Sequence, residues 1–228
     1  IAGAPGFEKR IRDMVIELVT PLVDEVKTDN MGSVIAIKKS KKNPDSKKVM
    51  VAAHMDEIGF IVTHIDDKGF IRFTTLGGFD PKTLTAQRVI IHGKEDVIGV
   101  MASKPIHVMT PDERNKVAKL SDYFVDTGLP AEKVKELISI GDVITREREF
   151  IEMGDCFNCK SLDNRLAVFI AIEVLKGLKG KELPHDVYMV FTVQEEVGIR
   201  GANVASLNIK PFYGFGLDTT IAFDLPGA

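Results

Sequence analysis

Glu195 and Glu196 stand side by side at the end of the apolar run 187–193, Val-Tyr-Met-Val-Phe-Thr-Val. A run so rich in Val, Tyr and Phe is expected to form a central strand covered on both faces. Two anions at its end repel one another, by roughly 4 kcal/mol for unit charges about 4 Å apart at an effective dielectric of 20. A cation, a shared proton or open water must relieve that repulsion. A lone Glu-Glu reads most simply as a solvated turn. Here the pattern recurs: the run 48–53 ends in His54-Met-Asp56-Glu57, and the run 212–217 ends in Asp218. Each expected strand thus delivers an imidazole or a carboxylate at its carboxyl end, the edge at which open α/β sheets hold their ligands.

Asp163 is a further candidate. It begins a long apolar helical stretch, so it could cap that helix by accepting from the first amides, or add a carboxylate to the set. Asp56 lies two residues beyond His54, where a carboxylate can hold an imidazole in one tautomer. An imidazole with several carboxylates and no thiolate suits zinc, cobalt or manganese, and one bridging carboxylate lets such a set hold two ions. His64, His92, His107 and His185 have no partners at ligand spacing and read as ordinary surface or packed histidines. Cys156 and Cys159 form a lone C-x-x-C in what reads as a loop. Without a second pair of ligands, or a strand leading into a helix, they read as reduced thiols rather than a zinc or redox site.

The elements that must position these groups follow from periodicity. Apolar residues at Ile11, Met14, Val15, Leu18, Val19 and Leu22 recur near 3.6 and predict an amphipathic helix over 8–22. A strand is expected over 32–38, then a solvated Lys-rich connection over 38–48. From about 60 to 143 the texture changes. Short β-type runs at 60–63, 69–74, 88–92 and 97–101 are separated by glycine-containing turn signals at the spacing of a small barrel or sandwich, with one helix over 131–140. After Gly154 the pattern reverts to a long helix over 163–178 and the central strand. The expected fold class is therefore α/β, a central sheet flanked by helices, with an inserted small β-barrel-like domain. The expected boundaries are 1–62 and 158–228 for the α/β domain that carries the candidate residues and 63–157 for the insertion.

With 228 residues the chain can bury a sizeable core. Its formal charge of −3 gives no reason to expect nucleic acid as a partner. No apolar run approaches a membrane span and no signal peptide is visible, so a cytoplasmic location is expected. The chain opens on Ile1 and closes over 217–228 in what reads as a loop without a final helix or strand, so a fragment is expected.

Taken together, Ala53-His-Met-Asp-Glu-Ile-Gly-Phe60, Leu162-Asp-Asn-Arg165, Gln194-Glu-Glu-Val-Gly198 with Arg200-Gly-Ala202, and Leu217-Asp-Thr-Thr220 resemble the glutamyl aminopeptidase and tetrahedral (TET) aminopeptidase family in order and spacing. The likeness extends to Ala4-Pro-Gly-Phe-Glu8 and Gly77-Gly78 and covers nearly the whole chain. Each motif alone is weak and the set is specific. The resemblance implies a two-metal peptidase, zinc or cobalt being the expected ions, whose inserted β-domain helps build a dodecameric tetrahedral shell. It implies that His54 and Asp218 hold one ion, that Asp163 bridges both, and that Glu196 holds the other. Asp56 is then the partner that orients His54, and Glu195 the general base. The implied substrates are peptides with a free N-terminus, cleaved through a metal-bridged water. Gly32-Ser33 departs from the Gly-Asn common in the family, and the further metal-binding histidine that the family supplies later in its sequence has no counterpart after Asp218. Three rival readings follow from the same residues. Paired carboxylates could serve a glycosidase, the metal set could serve a related deacylase or dipeptidase, and an incomplete site could leave a non-catalytic assembly fragment.

Overall fold

In the computed structural model, which describes residues 1–224, 226 and 227, the chain forms two units: Ile1–Glu57 with Ser161–Ala228, and Ile58–Lys160. The first unit opens with α1 (Lys9–Val19), followed by the strands β1 (Glu25–Thr28), β2 (Val34–Lys38) and β3 (Lys48–His54). The second contains β4 (Gly59–Ile65), β5 (Ile71–Leu76), β6 (Arg88–His92), β7 (Asp96–Ala102), the short helix α2 (Pro111–Arg114), β8 (Phe124–Asp126), α3 (Ala131–Leu137), β9 (Val143–Arg146), β10 (Ile151–Met153) and β11 (Cys156–Asn158). The chain then returns to the first unit through α4 (Leu162–Leu178), β12 (Asp186–Thr192), α5 (Arg200–Ile209) and β13 (Tyr213–Gly216).

The sheet of the first unit has the order β1-β2-β12-β3-β13. β12 lies parallel to β3, and β3 parallel to β13, whereas β2 runs antiparallel to β12. The three strands that end in candidate ligands therefore point the same way and deliver them to one edge. Side chains alternate across the pleat. Val34, Ala36, Met189 and Phe191 pack on one face against Ile11, Val15 and Val19 of α1 and Ala167, Val168, Ala171, Ile172 and Leu175 of α4. Ile35, Ile37, Met50 and Val190 pack on the other against Ala205 and Ile209 of α5. β12 is thus covered on both faces, and full burial of each large apolar side chain contributes about 1.5–3 kcal/mol. On α1 the apolar stripe is wider than its buried part, since Met14 and Leu18 remain exposed.

In the second unit, six strands close a barrel in the order β4-β5-β8-β7-β6-β9. Alternation again selects the interior: Val89 and Ile91 of β6, and Val97 and Met101 of β7, point inward, with Ile98 and Val100 outward. Val134 and Leu137 of α3 join that core. The strand β4 pairs along its length with β5, and also with β9. It therefore belongs wholly to this unit, and the boundary lies at 57/58 where local pattern put it at 62/63. The second boundary lies at 160/161 rather than 157/158, because the hairpin β10–β11 reaches Asn158. Cys156 correspondingly sits on a strand and not in a loop, and both cysteines are free thiols. Of the closing stretch 217–228, Leu225 and Ala228 lie outside the described residues, and the remainder carries no helix or strand.

One close approach ties the fold to the site. The Gly201 amide donates to the Val193 carbonyl at 3.0 Å. A Cβ at Gly201 would meet that oxygen at 2.4 Å and the Val193 nitrogen at 2.7 Å. Helix propensity alone favours Ala over Gly by about 1 kcal/mol, but backbone cannot yield as a side chain can. Gly201→Ala is expected to lower stability by about 2–3 kcal/mol, read as a lower urea midpoint at unchanged m-value. A raised midpoint would show that propensity wins.

Candidate metal centre

His54, the last residue of β3, is only 3% exposed. Its Nδ1 lies 3.1 Å from the Asp56 backbone carbonyl and 3.4 Å from Asp56 Oδ1. Its Nε2 faces a ring of carboxylates: Asp163 Oδ1 at 3.1 Å, Glu195 Oε2 at 3.8 Å and Asp218 Oδ1 at 3.9 Å. Ligand atoms of His54, Asp163 and Glu196 all lie within 4.8 Å of one another. The parallel strands thus bring His54, Glu195, Glu196 and Asp218 together, and the start of α4 adds Asp163. Asp163 itself has non-helical backbone angles, and its carboxylate turns toward His54.

Asp56 is fully buried, and its two oxygens accept from the amides of Glu195 at 3.0 Å and Glu196 at 3.1 Å. It faces the imidazole, but its carboxylate is also the anchor of the turn that carries both glutamates. Next to it, Glu8 accepts from the Gln194 amide at 3.0 Å and from Gly6 at 2.8 Å. Gln194 has φ +54°, a left-handed conformation unusual for a side chain with a Cβ, and these buried acceptors hold it there. In the sequence Glu8 stands only as the last residue of Ala4-Pro-Gly-Phe-Glu8 and the first of the expected helix 8–22, with nothing to link it to Gln194.

The electrostatics follow from this crowding. Burial works against the His54 imidazolium, yet the hydrogen bond to Asp56 and the charges of Asp56, Glu195 and Asp163 outweigh it and lift the pKa to about 9. Burial pushes the Glu196 carboxyl up to about 7, with the charge of Asp163 acting in the same direction. Glu195 is raised too, by burial first; His54 draws it back, and Asp218, Asp56 and Asp163 push it further. These carboxylates share one positive partner where their geometry calls for more. A mixed imidazole and carboxylate set around a common centre is what divalent zinc or cobalt accepts, so these residues fit such ions. Among the described residues, no other group of His, Cys, Asp or Glu converges in this way. His92 instead lies between Asp96 and Thr145, and His185 accepts from the Lys47 amide.

The chain thus presents an α/β sheet with an acidic cluster around one histidine at the carboxyl edge of its parallel strands. The chain belongs to the M42 glutamyl aminopeptidase family, whose model matches residues 32–228. It is 40% identical over 227 residues to a putative aminopeptidase of Acetivibrio thermocellus, covering 99% of this chain and 65% of that one. Among solved structures it is similar to the TET aminopeptidase of a marine sediment Thaumarchaeota archaeon, with a TM-score of 0.94, 36% identity, and coverage of 100% of this chain and 65% of the other. It is also similar to an endoglucanase of Thermotoga maritima, with a TM-score of 0.81, 32% identity, and coverage of 99% and 65%. The chain therefore spans about two thirds of the length of these relatives. No helix among the described residues is long and apolar enough to cross a membrane.

Proposed function

We propose that the protein is a metal-dependent aminopeptidase that removes the N-terminal residue from peptides. The observation that carries this reading is the His54 Nε2 surrounded by Asp163, Glu195 and Asp218 at 3.1, 3.8 and 3.9 Å. In this reading His54 and Asp218 would hold one divalent ion and Glu196 a second, with Asp163 available to both, zinc or cobalt being the ions of choice. When bound, such ions supply Lewis acidity, polarising a carbonyl and lowering the pKa of water toward neutrality. Glu195, with one face open to solvent, takes the proton of the attacking water and returns it to the departing amine. Asp56 keeps the Glu195–Glu196 turn and the imidazole in register. An acidic cluster of this kind favours a charged α-amino group over a blocked one, which limits cleavage to a free N-terminus.

The family and its TET relative support a homo-oligomer, and we place this chain in a tetrahedral dodecamer, to be checked by light scattering on the purified protein. The two free thiols accord with a reducing cytoplasm. The endoglucanase name carried by one neighbour belongs to that protein. A glycosidase needs an acid and a base flanking its bond, which leaves an imidazole ringed by carboxylates without a purpose. Hydrolysis of aminoacyl anilides and of soluble cellulose, each with and without chelator, separates the two. The expected result is anilide cleavage that chelator abolishes, that zinc or cobalt restores, and that N-acetylation of the substrate prevents. Cellulose cleavage indifferent to chelator would overturn the proposal.

A further inference from the structure

Beside Asp163 stand two residues whose hydrogen bonds reach the other strand ends. Asn164 is wholly buried, and its Nδ2 donates to the Leu217 carbonyl at 2.8 Å, the peptide group that leads into Asp218. Arg165 donates from Nε to the Met55 carbonyl at 2.8 Å, between His54 and Asp56. Two residues before Asp163, Ser161 donates to the buried Glu57 at 2.7 Å, and Glu57 also accepts from the Gly3 amide at 3.1 Å. The segment bearing Asp163 is therefore stitched to the ends of β3 and β13 by its neighbours on either side.

Asp163 makes no such tie of its own. Its side chain is 61% exposed and its polar contact is with His54. Its backbone leaves the helical region, so the helix does not dictate where its carboxylate points. Asn164 meanwhile keeps a buried Oδ1 that finds no partner among the described residues. An unpaired buried amide oxygen is destabilising, and an apolar residue of similar size would avoid that cost. What Asn164 contributes in return is the N–H donated to Leu217.

We propose that Asn164 and Arg165 are positioning residues. They set the spacing of Asp163 from His54 on one side and from Asp218 on the other, the spacing on which joint ligation of divalent ions depends. The inference rests on the metal centre assigned above. It adds that the distances within that centre are imposed by side chains that touch no ion.

The test is titration of the metal-stripped protein with cobalt(II), followed by visible absorption, together with a crystal structure of the metal-free variant. Asn164→Leu keeps the branched shape, with a larger volume, and deletes the donor. Should it fail to fold by circular dichroism, the smaller Asn164→Ser takes its place. The expected result is cobalt binding weakened about 10–100-fold with an altered absorption envelope. In the crystal, Asp163 or Asp218 should be displaced from His54 by more than about 0.5 Å. Wild-type affinity and spectrum, or unmoved carboxylates in the variant, would overturn the assignment. If the unmodified protein takes up no cobalt, the metal centre itself is refuted, and the crystal structure alone decides whether Asn164 sets the carboxylate spacing.

Discussion

Glu195→Gln should keep its metal and lose most of its turnover, with kcat falling about 10²–10⁴-fold, the range that a positioned acid–base group contributes. The substitution is isosteric. The Glu195 amide still donates to Asp56 Oδ1, so the turn is held as before. What disappears is the ability to accept a proton. The Glu195 carboxylate lies 3.8 Å from His54 Nε2 and is a quarter exposed, which leaves it within reach of both the cluster and the water in front of it. Burial and the surrounding carboxylates raise its pKa, and a stronger base takes a proton more readily at neutral pH. Steady-state kinetics and metal content measured on one preparation check the claim. Loss of kcat with KM and metal content near normal is the expected pattern, whereas an unchanged kcat would remove Glu195 from the mechanism. A loss of metal alongside kcat would make Glu195 a ligand instead.

What could be read from the sequence was what is local. A buried strand announces itself by an uncharged β-branched run, and a charge where that run stops is visible without any partner. His54, Glu195, Glu196 and Asp218 were therefore legible one by one, and the parallel sheet shows why they meet. The groups that hold them were not legible. Glu8 acts on an amide 186 residues away, Arg165 on a carbonyl 110 residues away, and Asn164 on one 53 residues away. Nothing in composition or period connects such pairs. The Glu8–Leu22 helix pattern likewise merged α1 with the 3₁₀ turn Thr20–Leu22, because both present apolar residues at similar spacing. Within the barrel, β8 and β9 span three and four residues and are too short to show an alternation. The strand β1 was missed for a related reason, since it spans only four residues and pairs with β2 alone at the sheet edge. Glu57 shares the strand end with His54 and Asp56, but its carboxylate turns to Ser161 and Gly3, so it supports the scaffold and not the cluster.

Asp56→Asn separates two accounts of one buried carboxylate. If Asp56 served only to orient the imidazole, asparagine would suffice, because its side-chain oxygen still accepts from an Nδ1–H. The variant would then keep its stability. The structure gives the carboxylate a second task, since each oxygen also takes one of the consecutive amides of Glu195 and Glu196. Asparagine can accept only one of these. Its NH₂ must then face a backbone N–H in a site from which water is excluded, and the second amide loses a charge-assisted partner. A lost hydrogen bond to a charged group costs about 1.5–3 kcal/mol, and an unsatisfied buried donor adds to it, so a stability loss of about 3 kcal/mol is expected. The released turn also lets Glu195 and Glu196 drift from His54, so activity should fall about 10–100-fold as well. Urea unfolding and anilide hydrolysis measured on the same variant test both halves. Activity and stability both near those of the unmodified protein would return Asp56 to the single role of holding the imidazole. The paired loss would show that this carboxylate keeps the turn from β12 and the end of β3 in one arrangement.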